Sequence, residues 1–382
     1  MPLGTAATYD LTVGVKLDME DFIYTLTPVD VPLLGTFNGT DTPFGPERSA
    51  LGTDARAFAK KVEWMDEELL TPRTTLAATL TTADTVLTVA SGARLRFATG
   101  DIIRIDAEVI RISGYGTTAD TLLITRAFGG TDAQHSNASQ VVGIGSASAE
   151  GSDPSAHRFQ DRNARYNMTE IFGPWEVKVS ETEEAIANAG GKYGLASEFD
   201  HQVANRLKEI AVAIEQAIIY GVRVEDTTNE WRAMGGLLYY ITTNVDTTTT
   251  NAISYSLIRT QMQNSYNNGG MIDLLIVPPA QKVKISDFDS TLVTIDRADR
   301  QRGAIVGELL TDFGIARVMV NRWLRTTDLI GLDSQYVSKV PFRPLSFEML
   351  ARTGDARKGM TLCEMSLKVR LESRHMRFSA LT

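Results

Sequence analysis

The sequence predicts an α+β protein that carries a small all-β insertion, and three observations lead to that prediction. Residues 197–220 place apolar side chains at steps of three and four, which is the spacing of a long amphipathic helix. Residues 75–146 instead contain short β-type runs separated by turn signals. Residues 361–373 alternate apolar and polar side chains, which is typical of a long strand. The β-rich segment therefore interrupts one larger unit of helices and strands.

Composition alone excludes several classes of protein, before any motif is considered. The chain has 382 residues, a length typical of about two or three domains, and its net charge is −9. An acidic chain does not suit general nucleic-acid binding, because counterion release needs a positive surface. The single Cys363 excludes an internal disulfide, and no apolar run reaches the ~20 residues of a membrane span. The N-terminus lacks a signal-peptide pattern, so we expect a cytosolic protein at synthesis.

Residues 1–53 predict an extended arm. They show little periodicity, and four prolines would interrupt any long element, namely Pro28, Pro32, Pro43 and Pro46. Leu33, Leu34 and Phe37 must pack against something, either their own domain or a neighbouring molecule.

Residues 54–74 and 147–180 predict the two halves of a long β-hairpin. Both halves are extended in character and rich in charge, with turn signals at 153–154 and 173–174. The acidic run at 66–68 is typical of a solvated face rather than a metal site. Basic and aromatic side chains mark the two halves: Lys60, Lys61, Trp64, Arg158, Arg162 and Arg165.

Residues 75–146 predict a separate β module between these halves. In the runs DIIRID and EVIRIS, apolar residues flank an arginine at period two, as in half-buried strands. Strands of about five residues at such spacing indicate a small barrel or sandwich.

Residues 197–220 predict the central helix of the larger unit. Ser197 can cap its first turn, with Asp200 in capping-box position, and Gly221 follows where the helix should end. The apolar stripe consists of Phe199, Val203, Leu207, Ile210, Ile214, Ala217 and Ile218. The opposite face carries Arg206, Lys208, Glu209 and Glu215. The sequence therefore predicts that sheet or loop covers only one side of this helix.

Around the central helix, a short helix is predicted at 180–189 and an α/β region at 222–340. Residues 273–277 are almost entirely apolar, which predicts a strand buried on both faces. Further predicted elements are helices at 255–266 and 280–288 and strands around Val318 and Ile330. The alternating strand at 361–373 would lie against the central helix and complete its domain.

The sequence shows no catalytic constellation. It lacks Walker-type, GxSxG and HExxH motifs, and the DFG at 312–314 stands without the other kinase motifs, which predicts a turn. The histidines, His135, His157, His201 and His375, show no metal spacing. We therefore predict no catalytic residue, no cofactor and no metal site.

Four stretches resemble the major capsid proteins of tailed bacteriophages, which have the Hong Kong 97-type fold. They are DMEDFIYTLTPVDVPLLGTF at 18–37, EWRAMGGLLYYITTN at 230–244, TDFGIARVMVNRWLR with the following LIGLD at 311–333, and ARTGDARKGMTLCEMSLKVRLESRHM at 351–376. The segments GDIIRID, EVIRIS and ITRAFGGTDAQH are similar to small β modules of phage structural proteins. The resemblance spans most of the chain outside the insertion.

This resemblance implies an architecture for the chain. The implied parts are an N-terminal arm at 1–53, an extended loop at 54–74 and 147–180 that lies over an adjacent subunit, the inserted β module at 75–146, a peripheral domain at 181–225 and 340–382 with a long spine helix, and an axial domain at 226–339 that meets its copies at capsomer centres.

The resemblance also implies a function and partners. Copies of the chain would assemble as hexamers and pentamers into an icosahedral head shell around phage dsDNA, without sequence readout. Scaffolding protein, portal and decoration proteins would be further partners, with assembly in the host cytoplasm, a final place in the virion and no membrane contact. Candidate inter-subunit contacts are Leu33, Leu34, Phe37, Lys60, Lys61, Trp64, Arg158, Arg162 and Arg165. In some relatives a lysine of the extended loop is cross-linked covalently to an asparagine of a neighbouring subunit, but Lys60 and Lys61 match no such motif.

Two other functions stay open at this point. An encapsulin-like cargo shell shares the fold, whereas a carbohydrate-active enzyme with an appended β module would be a monomer with carboxylates facing a cleft. The module itself could add contacts at capsomer boundaries, or it could be a platform for decoration proteins or host glycans.

Overall fold

The computed structural model describes residues 31–34, 51–67, 71–151, 162–189, 197–247, 252–288 and 307–382. Phe37 and Arg158, two of the candidate contact residues, lie outside these ranges. The chain divides into two compact units, a main unit of Met1–Trp64 with Arg165–Thr382 and an inserted unit of Met65–Ala164. In the described ranges, no helix combines the length and apolar character needed to cross a membrane.

Strands account for most of the regular structure. In chain order they are β1 (Gly52–Thr53), β2 (Lys61–Glu67), β3 (Arg73–Thr75), β4 (Val86–Thr88), β5 (Asp101–Ile105), β6 (Glu108–Tyr115), β7 (Thr121–Gly129), β8 (Gln140–Ser146), β9 (Arg162–Met168), β10 (Glu170–Ser180), β11 (Val224–Asp226), β12 (Trp231–Ala233), β13 (Val245–Asp246), β14 (Leu274–Val277), β15 (Glu308–Thr311), β16 (Gly314–Val320), β17 (Leu329–Leu332), β18 (Val337–Met349), β19 (Ala356–Val369) and β20 (Met376–Phe378). The α-helices are α1 (Glu181–Ala189), α2 (Glu198–Tyr220), α3 (Leu237–Tyr240), α4 (Tyr255–Asn267) and α5 (Pro279–Ser286).

The predicted central helix is confirmed as α2. Ser197 is its N-cap, and its hydroxyl accepts the backbone N–H of Asp200 at 3.2 Å. Ile210, Ile214 and Ile218 are buried in one core with residues of the long strands β10 and β19. Because these strands form the four-stranded sheet β1-β18-β19-β10, the helix packs along that sheet. The alternating C-terminal strand therefore lies against the central helix, as predicted.

One sequence-based expectation about this domain is wrong. The sequence predicts Glu215 on the uncovered face of α2, yet its side chain is fully buried. On β19, the polar residues Glu364 and Ser366 are buried as well. In both places, hydrogen-bond partners from distant parts of the chain replace water, which a local pattern cannot reveal.

A second sheet of the main unit has the order β13-β20-β17-β14-β16-β15. Its central strand β14 runs parallel to β16 and antiparallel to β17. All four residues of β14 are buried, with Leu274 and Ile276 in one core and Leu275 and Val277 in another. The predicted doubly buried strand is confirmed, and residues 312–313 form the turn between β15 and β16, with Gly314 as the first residue of β16.

The hairpin ends earlier than predicted. β2 pairs with β9 as a two-stranded ribbon. The next strand, β10, lies inside the range 147–180 assigned to the hairpin, but it pairs with β19 in the four-stranded sheet. The switch occurs at the buried Thr169, whose hydroxyl donates to Glu364 at 2.8 Å. This side-chain bond joins the end of the ribbon to the four-stranded sheet.

The inserted unit is a small barrel. Its strands have the order β3-β8-β5-β6-β7-β4, and the two edges meet at a bridge between Leu76 and Val89. Backbone bonds on either side, from Ala90 N to Thr75 O at 3.1 Å and from Ala77 N to Thr88 O at 3.0 Å, close the sheet. The interior is apolar and contains Phe97, Ile103, Ile105, Ile110, Ile112, Leu122 and Val141.

One buried carboxylate organises a long loop of this barrel. Glu108 accepts two bonds of 2.7 Å from the Arg126 guanidinium and one of 2.9 Å from His135 Nε2. It also accepts the backbone N–H groups of Ala127 and Ala133. Burial disfavours its ionised form, but the Arg126 and His135 bonds outweigh burial and lower the pKa of Glu108 to about 2.

Candidate functional site

Three polar side chains, Glu215, Asn321 and Lys339, hold the N-terminal arm, and we call them the arm clamp. The Glu215 carboxylate accepts the backbone N–H of Leu33 at 3.0 Å and that of Leu34 at 2.9 Å. Asn321 Nδ2 donates to the same carboxylate at 2.6 Å, and Lys339 Nζ donates to the Leu34 carbonyl oxygen at 2.6 Å. The clamp therefore binds main-chain groups of the arm.

Burial shifts the pKa of both charged members of the clamp. Desolvation raises the pKa of Glu215 to about 7, although its hydrogen-bond donors oppose the shift. Desolvation lowers the pKa of Lys339 to about 8, and the charge of Glu215 opposes that shift. Removing the arm would leave the buried carboxylate without two of its donors, which costs free energy. The arm and α2 therefore stabilise each other.

Leu33 and Leu34 lie on their own domain, which is one of the two alternatives predicted for them. Leu33 is fully buried in the core that also contains Ile214 and Ile218 of α2. Leu34 is half-buried and packs against the same core. Neither side chain is therefore fully exposed for contact with a neighbouring molecule.

The strand β18 also holds the second described part of the arm. Thr53 of β1 pairs in parallel with Lys339, and the backbone N–H of Asp54 donates to the Lys339 carbonyl oxygen at 2.8 Å. The Asp54 carboxylate then accepts bonds of 2.9 Å from Lys368 and 2.5 Å from Arg370. The Lys368 hydrogen bond is the main cause of a lowered pKa at Asp54. One residue, Lys339, thus contacts both arm segments.

The candidate residues of the first hairpin half have different surroundings. Trp64 is buried, with its ring centroid 5.9 Å from that of Tyr240. Lys60 is largely exposed and lies 3.0 Å from a Glu225 carboxylate oxygen. Lys61 Nζ lies 2.5 Å from Glu63 and 4.2 Å from the centroid of the Tyr166 ring. The lysines are accessible, whereas Trp64 anchors its strand in the core.

The two described arginines of the second half also differ. Arg162 is exposed, and its Nε lies 3.4 Å from Glu67 Oε2 on the facing strand β2. Arg165, three residues on, is half-buried. The candidate residues therefore do not form one cluster: Lys60, Lys61 and Arg162 are surface groups, and Leu33 and Trp64 are core groups.

A buried carboxylate joins the base of the hairpin to the four-stranded sheet. Glu364 accepts the Thr169 hydroxyl, the Arg343 guanidinium at 2.7 Å and the Arg232 guanidinium. Burial disfavours its ionised form, but these three donors outweigh burial and lower the pKa of Glu364. Arg232 also donates to the Thr169 carbonyl oxygen at 2.8 Å. The hairpin thus leaves the sheet from a rigid, fully hydrogen-bonded base.

Sequence reasoning missed Glu215, Lys339 and Glu364. For Glu215, one signal was available: it lies four residues from both Ala211 and Ile219, so it borders the apolar stripe of the helix. No such signal marks Lys339, whose partner is a backbone carbonyl 305 residues away in the sequence. In the described part of the chain, no group of three or more histidine, cysteine, aspartate or glutamate side chains could hold a metal ion. The arrangement binds segments of polypeptide.

Comparison with known proteins gives a consistent result over the whole chain. A family model described as SU10 major capsid protein matches residues 3–382. No curated protein matches the chain. The family match includes both the arm segment held by the clamp and the inserted barrel.

Several solved phage structures, two of them described as capsids, are similar over nearly the full length. The cyanophage A-1(L) capsid asymmetric unit matches 99% of this chain and 100% of its own, with 9% identity and a TM-score of 0.57. The capsid of Myoviridae phage XM1 matches 97% and 100%, with 10% identity and a TM-score of 0.52. A Mycobacterium phage Bobi structure matches 98% and 98%, with 11% identity and a TM-score of 0.51. At such identities the likeness shows the fold, which is that of the Hong Kong 97-type phage capsid chains.

Proposed function

Because this chain belongs to the SU10 major capsid protein family, with the family model matching residues 3–382, we propose how its copies build a phage head. It is a structural protein of the virion, and its copies assemble into the capsid shell. In our proposal the copies first form hexamers and pentamers, which close into an icosahedral head around double-stranded DNA. The observation that carries the proposal is the family match over the full chain.

The exposed part of the ribbon supports a role in joining copies. A two-stranded ribbon alone is at best marginally stable in water. Its solvent face carries Met65, which is 74% exposed, together with Lys61 and Glu63, and nearby Phe58 is 93% exposed. A neighbouring copy lying under or beside these residues would cover them. We propose that Lys60, Lys61, Arg162 and Arg165 contact that copy, while Leu33 and Trp64 hold the arm and ribbon in their own subunit.

Many modest contacts of this kind suffice for a closed shell. A single interface of roughly 1,000–2,000 Å² is only moderately stable, but contacts closed around symmetric rings reinforce one another. The net charge of −9 fits a shell that confines DNA without gripping it or reading its sequence. The chain needs no catalytic activity for this role. Scaffolding protein, portal and decoration proteins complete the proposed assembly, which takes place in the host cytoplasm.

Electron microscopy of the purified chain tests the proposal. Expressed alone and with the scaffolding protein of its phage, the chain should give closed particles of uniform diameter by negative staining and a large species by sedimentation. A protein that stays monomeric in both preparations would contradict the coat function.

Charge reversal tests the proposed contact residues. The double substitution Lys61→Glu with Arg162→Glu should lower particle yield without changing the melting temperature of the unassembled subunit. Lys61→Arg with Arg162→Lys is the matched control, because it keeps both charges, and it should assemble normally. Equal particle yields from the two double variants would show that Lys61 and Arg162 do not contribute to the interface between copies.

A further inference from the structure

The strands of the inserted barrel present arginines on their outer surface but no exposed carboxylate, and exposed carboxylates such as Asp106 and Asp132 lie in its turns. The six strands contain two carboxylates, Asp101 and Glu108, and both are buried. Three arginines point outward from the same strands, namely Arg73, Arg104 and Arg111. We call this surface the arginine face.

Strand register brings the three arginines together. Val142 of β8 pairs with both Arg73 of β3 and Arg104 of β5, so these side chains share one row across the barrel. Arg111 pairs with Ile102 in the next row. Because neighbouring strands lie about 4.8 Å apart, the Cα atom of Arg104 lies within roughly 10 Å of those of Arg73 and Arg111, which stand on either side of it about 15 Å from each other.

None of the three arginines forms a salt bridge within the residues that the structure describes. Arg104 Nε donates to the backbone carbonyl oxygen of Asp106 at 2.8 Å, which is a neutral partner. Arg126 of the same barrel shows the contrast, since its guanidinium is buried against Glu108. Arg104 lies within about one Debye length of each of the other two arginines, so like charges repel there and an acidic partner would stabilise the face.

The side chains between the arginines indicate what kind of partner fits. Ile102, Val109 and Val142 are half-buried and separate the arginines on the face. A polyphosphate backbone would satisfy the arginines and leave these aliphatic groups in water. A protein surface can cover both, and arginine is enriched in protein interfaces.

We propose that the arginine face binds an acidic surface on a neighbouring copy of the same chain, which rests on the proposed function. The charge of the chain supports this choice of partner. With a net charge of −9, each copy presents an excess of carboxylates, and in a shell its immediate neighbours are other copies. Such a contact is head-to-tail, since the two surfaces differ, and it would be weakened by salt.

Charge reversal on the face is the first test. Arg104→Glu with Arg111→Glu should lower particle yield about tenfold at low salt and make the remaining particles dissociate at lower salt concentration. Arg104→Lys with Arg111→Lys should assemble as the wild type does. Both substitutions lie outside the apolar core, and an unchanged melting temperature of the free subunit verifies folding. Wild-type assembly by the reversed variant would overturn the proposal.

Cross-linking identifies the partner. Thr125 is exposed and pairs with Arg111, and the native Cys363 is buried, so Thr125→Cys can carry a benzophenone label on this face. Particles assembled from a mixture of ¹⁴N and ¹⁵N chains should give mixed-isotope cross-links to peptides rich in Asp and Glu. Cross-links confined to single chains, to packaged DNA or to a different protein would overturn the proposal, as would a labelled particle with no cross-link.

The two proposals fail in different ways. If wild-type protein forms no particles with or without scaffolding protein, the coat function itself fails. If wild-type particles form and the arginine face neither affects yield nor cross-links to another copy, the coat function stands and only this contact fails.

Discussion

The carboxylate of Glu215 accepts the backbone N–H of Leu33 at 3.0 Å across a sequence separation of 182 residues. This bond joins the arm to the longest helix of the main unit. It uses a main-chain group of the arm, so the bond itself does not depend on which side chain stands at position 33. The bond explains why a charged side chain lies at a fully buried position of an otherwise amphipathic helix.

Removing the Glu215 carboxylate should release the arm. Glu215→Ala leaves the N–H groups of Leu33 and Leu34 and the Asn321 amide without an acceptor, so we expect a loss of about 3 kcal/mol in the free energy of unfolding. Denaturant titration of the free subunit measures this. Hydrogen exchange at the Leu33 and Leu34 amides should rise together with it.

Glu209→Ala is the control for that substitution. Glu209 lies on the exposed face of the same helix, 2.5 Å from Arg206. Its loss should change stability by no more than about 0.5 kcal/mol. Equal effects at the two positions would show that the clamp contributes nothing beyond an ordinary surface contact.

The clamp should also give the subunit a pH dependence of known sign. Burial raises the pKa of Glu215 from 4.5 to about 7, so its contribution is fully present below about pH 4.5 and is lost as pH rises through about 7. The wild-type free energy of unfolding minus that of Glu215→Gln should therefore fall by about 3 kcal/mol over this window. Urea titrations at several pH values measure the difference. A flat difference would contradict the assignment.

Breaking the ion pairs of Glu364 should be costly. Arg232→Ala leaves a buried carboxylate with one arginine instead of two, and we expect a loss of about 3 kcal/mol in the free energy of unfolding. Arg206→Ala, at an exposed pair on α2, should cost no more than about 0.5 kcal/mol. Thermal melting of the free subunits compares them. Similar melting temperatures for Arg232→Ala and Arg206→Ala would mean that Thr169 and Arg343 alone stabilise the buried Glu364 carboxylate.

In the barrel, Glu108→Ala should loosen the loop that follows β7. It removes the acceptor for Arg126, His135 and the N–H groups of Ala127 and Ala133, so we expect a loss of about 3–5 kcal/mol in barrel stability. Faster hydrogen exchange at Ala127 and Ala133 would report it. Asp84→Ala, which removes one cap on the Thr81 N–H, should leave both amides protected. Unchanged protection in Glu108→Ala would show that the carboxylate does not organise the loop.

Much of the fold follows from local patterns. The stripe of α2, its Ser197 cap and the apolar strand β14 were predictable. A helix that packs against the core on one side has one apolar face, and a strand buried on both sides is apolar throughout. The alternation along β19 likewise predicted a strand against α2. These elements depend on residues close together in sequence, and their boundaries agree with the structure within a few residues.

The anchoring sites could not be predicted in the same way. Glu215 and Glu364 both occupy polar positions of a correct pattern, and the pattern says that such positions face water. They are buried because Leu33, Leu34, Arg232 and Arg343 arrive from far away in the chain to bind them. The early end of the hairpin has the same origin, since Thr169 meets Glu364 across the sheet. Only the folded chain brings such partners together.

The chain leaves the main unit after Trp64 and re-enters it at Arg165, on two strands that pair with each other. Paired strands are about 4.8 Å apart, so the insertion begins and ends almost at one point. Because its two ends are so close, the insertion can be exchanged: any compact domain with adjacent termini could be grafted at this point. Evolution or protein engineering can therefore change what the particle carries without altering the main unit.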